Sequence, residues 1–245
     1  MTQHALLNNV AHKDLRVITR HAAEFGDNVG SVVTFPTEYA DVQREYPILF
    51  RKEKNTGDYL SVALLGFENG ENLFLEDGRW NARYIPGVLA RGPFLIGFQE
   101  RATQGEVRSD PVVHVDLDHP RVSTTEGEPL FLENGGRTRY LDRIATILNG
   151  LGAGMEVSKL MFAAFTPLDL IEPVKVTVTM SPEEQHVLQG YYTINEDKLA
   201  ALDGEALVKL NRSGFLHAAF LIVASLSNVK TLIDLKHRRR QRTAA

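Results

Sequence analysis

The chain has no cysteine, which excludes disulfides, thiolate nucleophiles and cysteine-ligated metal sites. It has little that reads as membrane sequence. The longest apolar run, Gly214 to Leu226 (GFLHAAFLIVASL), is about 13 residues against the roughly 20 needed for a span, so a buried helix and no membrane span are expected there. The first residues, MTQHALLNNVAHKDLRV, do not join a charged segment to a long apolar one, so no signal peptide is read and a soluble, cytoplasmic protein is expected. Excess charge is lacking too: a formal net charge of −4 gives no global case for nucleic acid or an anionic membrane. Only KHRRRQR, Lys236 to Arg242, departs, with five cationic side chains in seven residues. A helix end whose cations favour the negative pole of the macrodipole, then fray into solvent, is the simpler reading; contact with nucleic acid or an anionic surface is the lesser alternative.

The motifs of known chemistry are also missing. There is no GxSxG, no HExxH and no GxxxxGK[ST], and SKLM at 158–161 has the wrong spacing for a serine–lysine pair. NGLGAGM at 149–155 holds closely spaced glycines but joins no strand to a helix, so the glycines are read as parting two helices. Ser213 lies four residues before His217, and the simpler role for Ser213 is N-cap of the apolar helix. His114, Asp116 and Asp118 share one face of an expected strand, with His119 following, and could face a hard cation. Because Val113, Val115 and Leu117 alternate with them, a half-exposed strand explains the pattern equally well, and no metal or cofactor is expected.

What is present is a core and a clear change of period. A chain of 245 residues can bury about 70–75 per cent of its unfolded surface without staples. Apolar or β-branched runs at 15–19, 31–35, 47–50 and 59–67 read as strands between turn clusters, KNTGD being a hairpin signal. A short helix capped by Thr37 is expected in 37–45, and PFLIGF and VVHVDL add strands. Helical spacing takes over from about 139, is interrupted by the alternating VKVTVTM and a returning HVLQGYYTI, and resumes after Asn195, Asp203, Ser213 and Asn228. The expected fold is α+β: a β-rich N-terminal part of mostly antiparallel strands (1–126), then a helical C-terminal part (137–245) with an inserted β-hairpin near 174–194, forming one compact unit.

The densest segment is GENLFLEDGRWNARYIPGVLARGPFLIG, residues 70–97, which holds the single tryptophan. In an extended stretch Arg79, Asn81 and Arg83 face one way and Trp80 and Ala82 the other. Arg79 and Arg83 could grip a carboxylate or phosphate while Trp80 and Tyr84 stack on a flat ligand, with Arg212 from the C-terminal helices lining the same cleft. Against this stands a purely architectural reading, in which Trp80 and Phe94 anchor the core and Arg79, Arg83 and Arg91 pair with Glu71, Glu76 or Asp77.

Taken together, EYPILF (45–50), ALLGF (63–67), GENLFLEDGRW (70–80), RYIPGVLARGPF (83–94), EGEPLF (126–131), LQGYYTINEDKLAALDGEAL (188–207) and LNRSGFLHAAFLIVASLSNVKTL (210–232) resemble the bacterial SapC family in order and spacing. That family takes its label from a surface layer and is distinct from the like-named peptide-transporter permease. The resemblance implies a chain of about this length without membrane spans, and no catalytic residues to carry over. The expectation is therefore a cytoplasmic, non-enzymatic interaction or accessory protein linked to surface-layer or nutrient-uptake and modification systems, with a protein or peptide partner. The alternative is an enzyme or a small-molecule or peptide binder built around Arg79, Trp80, Arg83 and Tyr84.

Overall fold

Antiparallel strands are the main regular structure of the first half of the chain and helices that of the second, giving an α+β fold. The computed structural model describes residues 3–103, 106–181 and 184–243. In chain order these form β1 (His4–Leu6), β2 (Arg16–Val17), β3 (Ser31–Val33), α1 (Tyr39–Val42), β4 (Ile48–Lys52), β5 (Tyr59–Leu64), β6 (Leu75–Glu76), β7 (Arg79–Trp80), α2 (Gly87–Ala90), β8 (Phe94–Thr103), β9 (Glu106–Asp116), β10 (Val122–Ser123) and β11 (Glu128–Pro129). There follow α3 (Arg139–Phe165), β12 (Ile171–Ser181), β13 (Glu184–Ile194), α4 (Glu196–Ala200), α5 (Gly204–Arg212), α6 (Phe215–Ser225) and α7 (Asn228–Thr243).

All strand pairs are antiparallel. The largest sheet has the order β12-β13-β4-β5-β3, so the C-terminal hairpin pairs with the N-terminal strands through β13 and β4. Lys175 and Thr177 of β12 are exposed and Val178 is buried, the alternation of a half-covered strand. The SPEEQ turn includes Pro182 and Glu183, and these, like the side chains of Val176 and Met180, lie outside the described residues. A smaller sheet, β1-β9-β8, packs beside a ribbon of β10-β2-β11.

One helix serves both halves of the core. The first part of α3 gives Leu141, Ile144 and Leu148 to a cluster with Val17, Phe94, Val115 and Leu130. Its last turns give Met161, Phe162 and Phe165 to the main cluster, which includes Ile48, Leu49, Phe50, Val62 and Leu64 from β4 and β5. The expected break at 150–154 is absent: α3 is continuous for 27 residues, started by Thr138, whose side chain accepts from the Leu141 amide. Of its glycines, Gly154 marks a close approach. A Cβ on Gly154 would lie 2.6 Å from the Phe35 Cβ and 2.7 Å from the Thr37 Oγ1, whereas one on Gly150 would meet nothing within 4 Å.

Two expected caps also move. Thr37 sits inside a 3-10 turn, Pro36–Glu38, and its hydroxyl donates to the Gly150 carbonyl at 3.3 Å; the orphan Phe35 amide is met instead by the Glu38 carboxylate at 3.3 Å. Ser213 ends α5, donating to the carbonyls of Lys209 and Leu210, and Gly214, at φ 77°, is the N-cap of α6 because the sharp turn between the helices needs a left-handed residue. Asn195 and Asp203 do cap α4 and α5, accepting from the amides of Lys198 and Ala206.

Only the turn at Leu226–Ser227 separates α6 from α7. Together Phe215–Arg242 is long and apolar enough to cross a membrane by length and composition, an 18-residue window reaching a mean hydropathy of 1.5. That is more than the 13-residue run suggests. In this fold Ala218, Ala219, Ile222 and Leu232 of the same stretch are buried in the main core.

The glycines of α3 give a paired test. Gly150→Ala should raise stability by about 0.5–1 kcal/mol, the usual helix-interior gain, and Gly154→Ala should lower it by about 1–3 kcal/mol through overpacking. Urea midpoints of the two variants check both signs; a stabilised Gly154→Ala contradicts the tight crossing.

Candidate functional site

The hairpin segment is pinned from below by two carboxylates. Glu38, 8 % exposed, accepts from the Thr34 hydroxyl (2.7 Å), the Phe35 amide (3.3 Å), the Tyr84 hydroxyl (2.6 Å) and the Gly87 amide (2.9 Å). Glu45, at the foot of α1, accepts from the amides of Arg83 (2.9 and 3.0 Å) and Tyr84 (2.9 Å). Four donors on one buried carboxylate offset the cost of removing its charge from water.

The four residues picked from the sequence then separate by role. β7 pairs with β6, and Arg79, Asn81 and Arg83 are exposed while Trp80 and Ala82 are half-buried, the alternation expected of an extended stretch. Trp80 packs on the main core, donates from Nε1 to the Tyr46 hydroxyl at 2.8 Å, and meets the His21 ring edge-on at 5.4 Å between centroids. Tyr46 in turn donates to the Tyr84 carbonyl. Both aromatic side chains thus have protein partners, and only Arg79 and Arg83 point outward. The expected pairing of these arginines with Glu71, Glu76 or Asp77 is not found among the described residues. Glu71 and Glu76 bind α7 instead: Lys236 bridges Glu68 and Glu71, and Arg242 pairs with Glu76. Arg91 donates to the Phe94 carbonyl. Arg212 is exposed in the last turn of α5, which packs on α6, and it does not line the clefts described below.

The basic end is correspondingly docked. Lys236 is 8 % exposed, and Arg239 donates to the carbonyls of Asn72 (2.8 Å) and Leu75 (2.7 Å). Burial alone would lower the Lys236 ammonium, but hydrogen bonds and charge from Glu68 and Glu71 raise it above its ordinary value. The inner face of α7 is a brace, so the expected fraying does not apply to it.

His114, Asp116 and Asp118 do not converge. The His114 ring lies over Gly97 of the neighbouring strand, where a Cβ would be 2.3 Å from Nδ1. Asp116 accepts from the Asp118 amide at 3.1 Å, and Asp118 from the Gln3 amide at 2.8 Å. Among the described residues no three histidine or acidic side chains are placed to hold a metal ion. Nearby, Asp27 pairs with Arg121 at 2.6 Å and His21 at 3.2 Å. Its burial favours the neutral acid, yet the bond from His21 and the charge of Arg121 outweigh that and hold the carboxyl below its ordinary value.

A groove the sequence did not reveal is the largest opening described, about 870 Å³, between β3, β5 and the last half of α3. Val33, Phe35, Tyr59, Leu60, Met155 and Phe162 make its surface mostly apolar. Its deep hydroxyls face inward: Ser61 bonds Tyr39, and Thr34 bonds Glu38. Among the described residues the partner of the Ser61 hydroxyl is the Tyr39 phenol, whose pKa burial raises. Lys159 and Glu53 stand at the rim. Helical spacing in α3 marks Met155, Ser158 and Phe162 as neighbours, but which strand they oppose depends on the crossing at Gly154. A second, polar cleft lies between the hairpin and α7.

The sequence model of a family described as SapC matches residues 7–232. No curated protein and no solved structure matches the chain.

The buried phenols set a pH limit. Burial raises Tyr39, Tyr46 and Tyr84 above the ordinary phenol value, Tyr84 further through its bond to Glu38, and Tyr140 is pushed up to about 12. Folding therefore raises these pKa values above the unfolded value of about 10. Their contribution to stability is complete below that pH and is lost as pH rises towards the folded values. Absorbance at 295 nm should show the four ionising with the unfolding transition above pH ~10; ionisation well ahead of loss of helix signal contradicts the network.

Proposed function

The chain belongs to the SapC family, and from that premise we propose that it is a cytoplasmic accessory protein that binds rather than catalyses, taking an apolar segment of a partner polypeptide into the groove between β3, β5 and α3. The groove carries this reading: an open surface of about 870 Å³ lined by Phe35, Tyr59, Leu60, Met155 and Phe162, with its buried hydroxyls already paired inside the protein. Such a surface gains from covering apolar side chains, at about 25 cal/mol per Å² removed from water. A half-exposed Met beside aromatic rings suits an adaptable peptide contact. The link to surface-layer or nutrient-uptake and modification systems follows the family label.

A second reading, a small-ligand binder or enzyme at Arg79, Trp80, Arg83 and Tyr84, is favoured by one observation: Arg79 and Arg83 are exposed above a backbone that Glu45 holds rigidly. A metabolite-dependent rise in melting temperature that disappears in the Arg79→Ala/Arg83→Ala variant would select it.

For the groove, Met155→Glu and Ala163→Glu put charge on exposed positions of α3 without touching the core. Wild-type protein should bind members of a panel of aromatic and aliphatic peptides, measured by fluorescence anisotropy, and the double variant should lose tenfold or more in affinity with its ligand-free melting temperature nearly unchanged. Equal affinity in the double variant overturns the assignment.

A further inference from the structure

The polar cleft between the β6–β7 hairpin, the end of α1 and the last turns of α7 has a volume of about 350 Å³. It is independent of the apolar groove and shares no lining residue with it. Four arginines line it, Arg44, Arg238, Arg239 and Arg242, together with two acids, Glu45 and Glu76.

The acids are already occupied. Glu45 takes the amides of Arg83 and Tyr84, and Glu76 takes Arg242 and the Asn81 amide group at 2.8 Å. The arginines are not matched by them in number. Arg238 donates from Nε to a neutral acceptor, the Asp234 carbonyl, at 3.3 Å. Arg44 has only a 3.4 Å contact with Asp41, and both of those side chains are more than half exposed, so water screens the pair. Arg239 turns one nitrogen towards the carbonyls of Asn72 and Leu75, which fixes its position at the back of the cleft. A concave, positively charged site built from guanidinium groups on two different elements results.

We propose that this cleft binds the phosphate group of a small phosphorylated compound, with Arg44 and Arg238 as the two forks that take its oxygens. Guanidinium is planar and always charged, and matches phosphate oxygens with paired parallel N–H bonds. The volume lies at the lower end of small-molecule sites, which suits a phosphate monoester or a diphosphate. The continuous backbone of a nucleic acid would need a long basic stripe, and the inner cations of α7, Lys236 among them, are turned onto the 68–76 segment.

Isothermal titration of the full chain with inorganic pyrophosphate tests the site. Wild type should bind one equivalent saturably. Arg44→Gln/Arg238→Gln should weaken binding at least tenfold, while its ligand-free melting temperature stays within about 2 °C of wild type because both positions are exposed surface residues. Arg79→Gln/Arg83→Gln, outside the cleft, should bind as wild type does. The proposal is overturned by no saturable binding at millimolar pyrophosphate, by unchanged affinity in Arg44→Gln/Arg238→Gln, by citrate binding as tightly as pyrophosphate, or by binding of single-stranded DNA alone.

Discussion

The carboxylate of Glu38 is the point on which the arrangement around both surfaces depends. It lies in the interior without a cation beside it among the described residues, and its charge is met by four donors: Thr34, Phe35, Tyr84 and Gly87. A buried charge without such partners would cost several kcal/mol. With them it becomes a directional joint, because its donors come from three separate segments. Thr34 and Phe35 continue β3 into the wall of the apolar groove; Tyr84 follows the hairpin; Gly87 opens α2, which packs on α3. One side chain thus fixes where the hairpin leaves the sheet and where α3 may cross it.

The second constraint is the close crossing at Gly154. The turn at 34–37 approaches α3 within contact distance there, and the Thr37 hydroxyl reaches the Gly150 carbonyl. Beyond that point the groove opens between β3, β5 and the last half of α3. On the opposite side α7 repeats the tactic with charge instead of small size. Lys236 holds Glu68 and Glu71, and Glu71 also accepts from the Phe67 amide at 3.0 Å, so the helix and the loop before the hairpin are clamped together.

Much of the fold was legible because local physics and tertiary packing agree. The continuous apolar runs of β4 and β5, the turn at Gly57, and the caps at Asn195 and Asp203 need no distant partner to be recognised. The family, too, was legible, since its segments are contiguous words. The single long α3 was not, because glycine in a helix and glycine between helices look alike until Phe35 and Thr37 are placed against it. The Ser213 cap failed for a related reason: serine can end a helix as readily as begin one, and Gly214 decides. At the site, the exposure of Arg79 and Arg83 followed from alternation. Their lack of acidic partners could not follow, since Glu71 and Glu76 are claimed by a helix more than a hundred residues away in the chain. The one local hint of Glu38 was its position directly after Pro36-Thr37, where an acid can reach back to a free amide. Neither the groove nor the arginine cleft has a contiguous signature, because each is assembled from segments that meet only in three dimensions.

The pairing of Phe50 with Tyr192 also has a temporal side. During synthesis β4 finds β5 almost at once, but its other edge stays open until β13 has left the ribosome. In that interval Ile48, Leu49 and Phe50, wholly buried in the finished protein, form an apolar strand with one side uncovered. Long-range closure of this kind slows folding and exposes nascent chains to wrong pairing. Completion of the sheet is thus a late event in the life of the chain, a delay that comes from strand order alone.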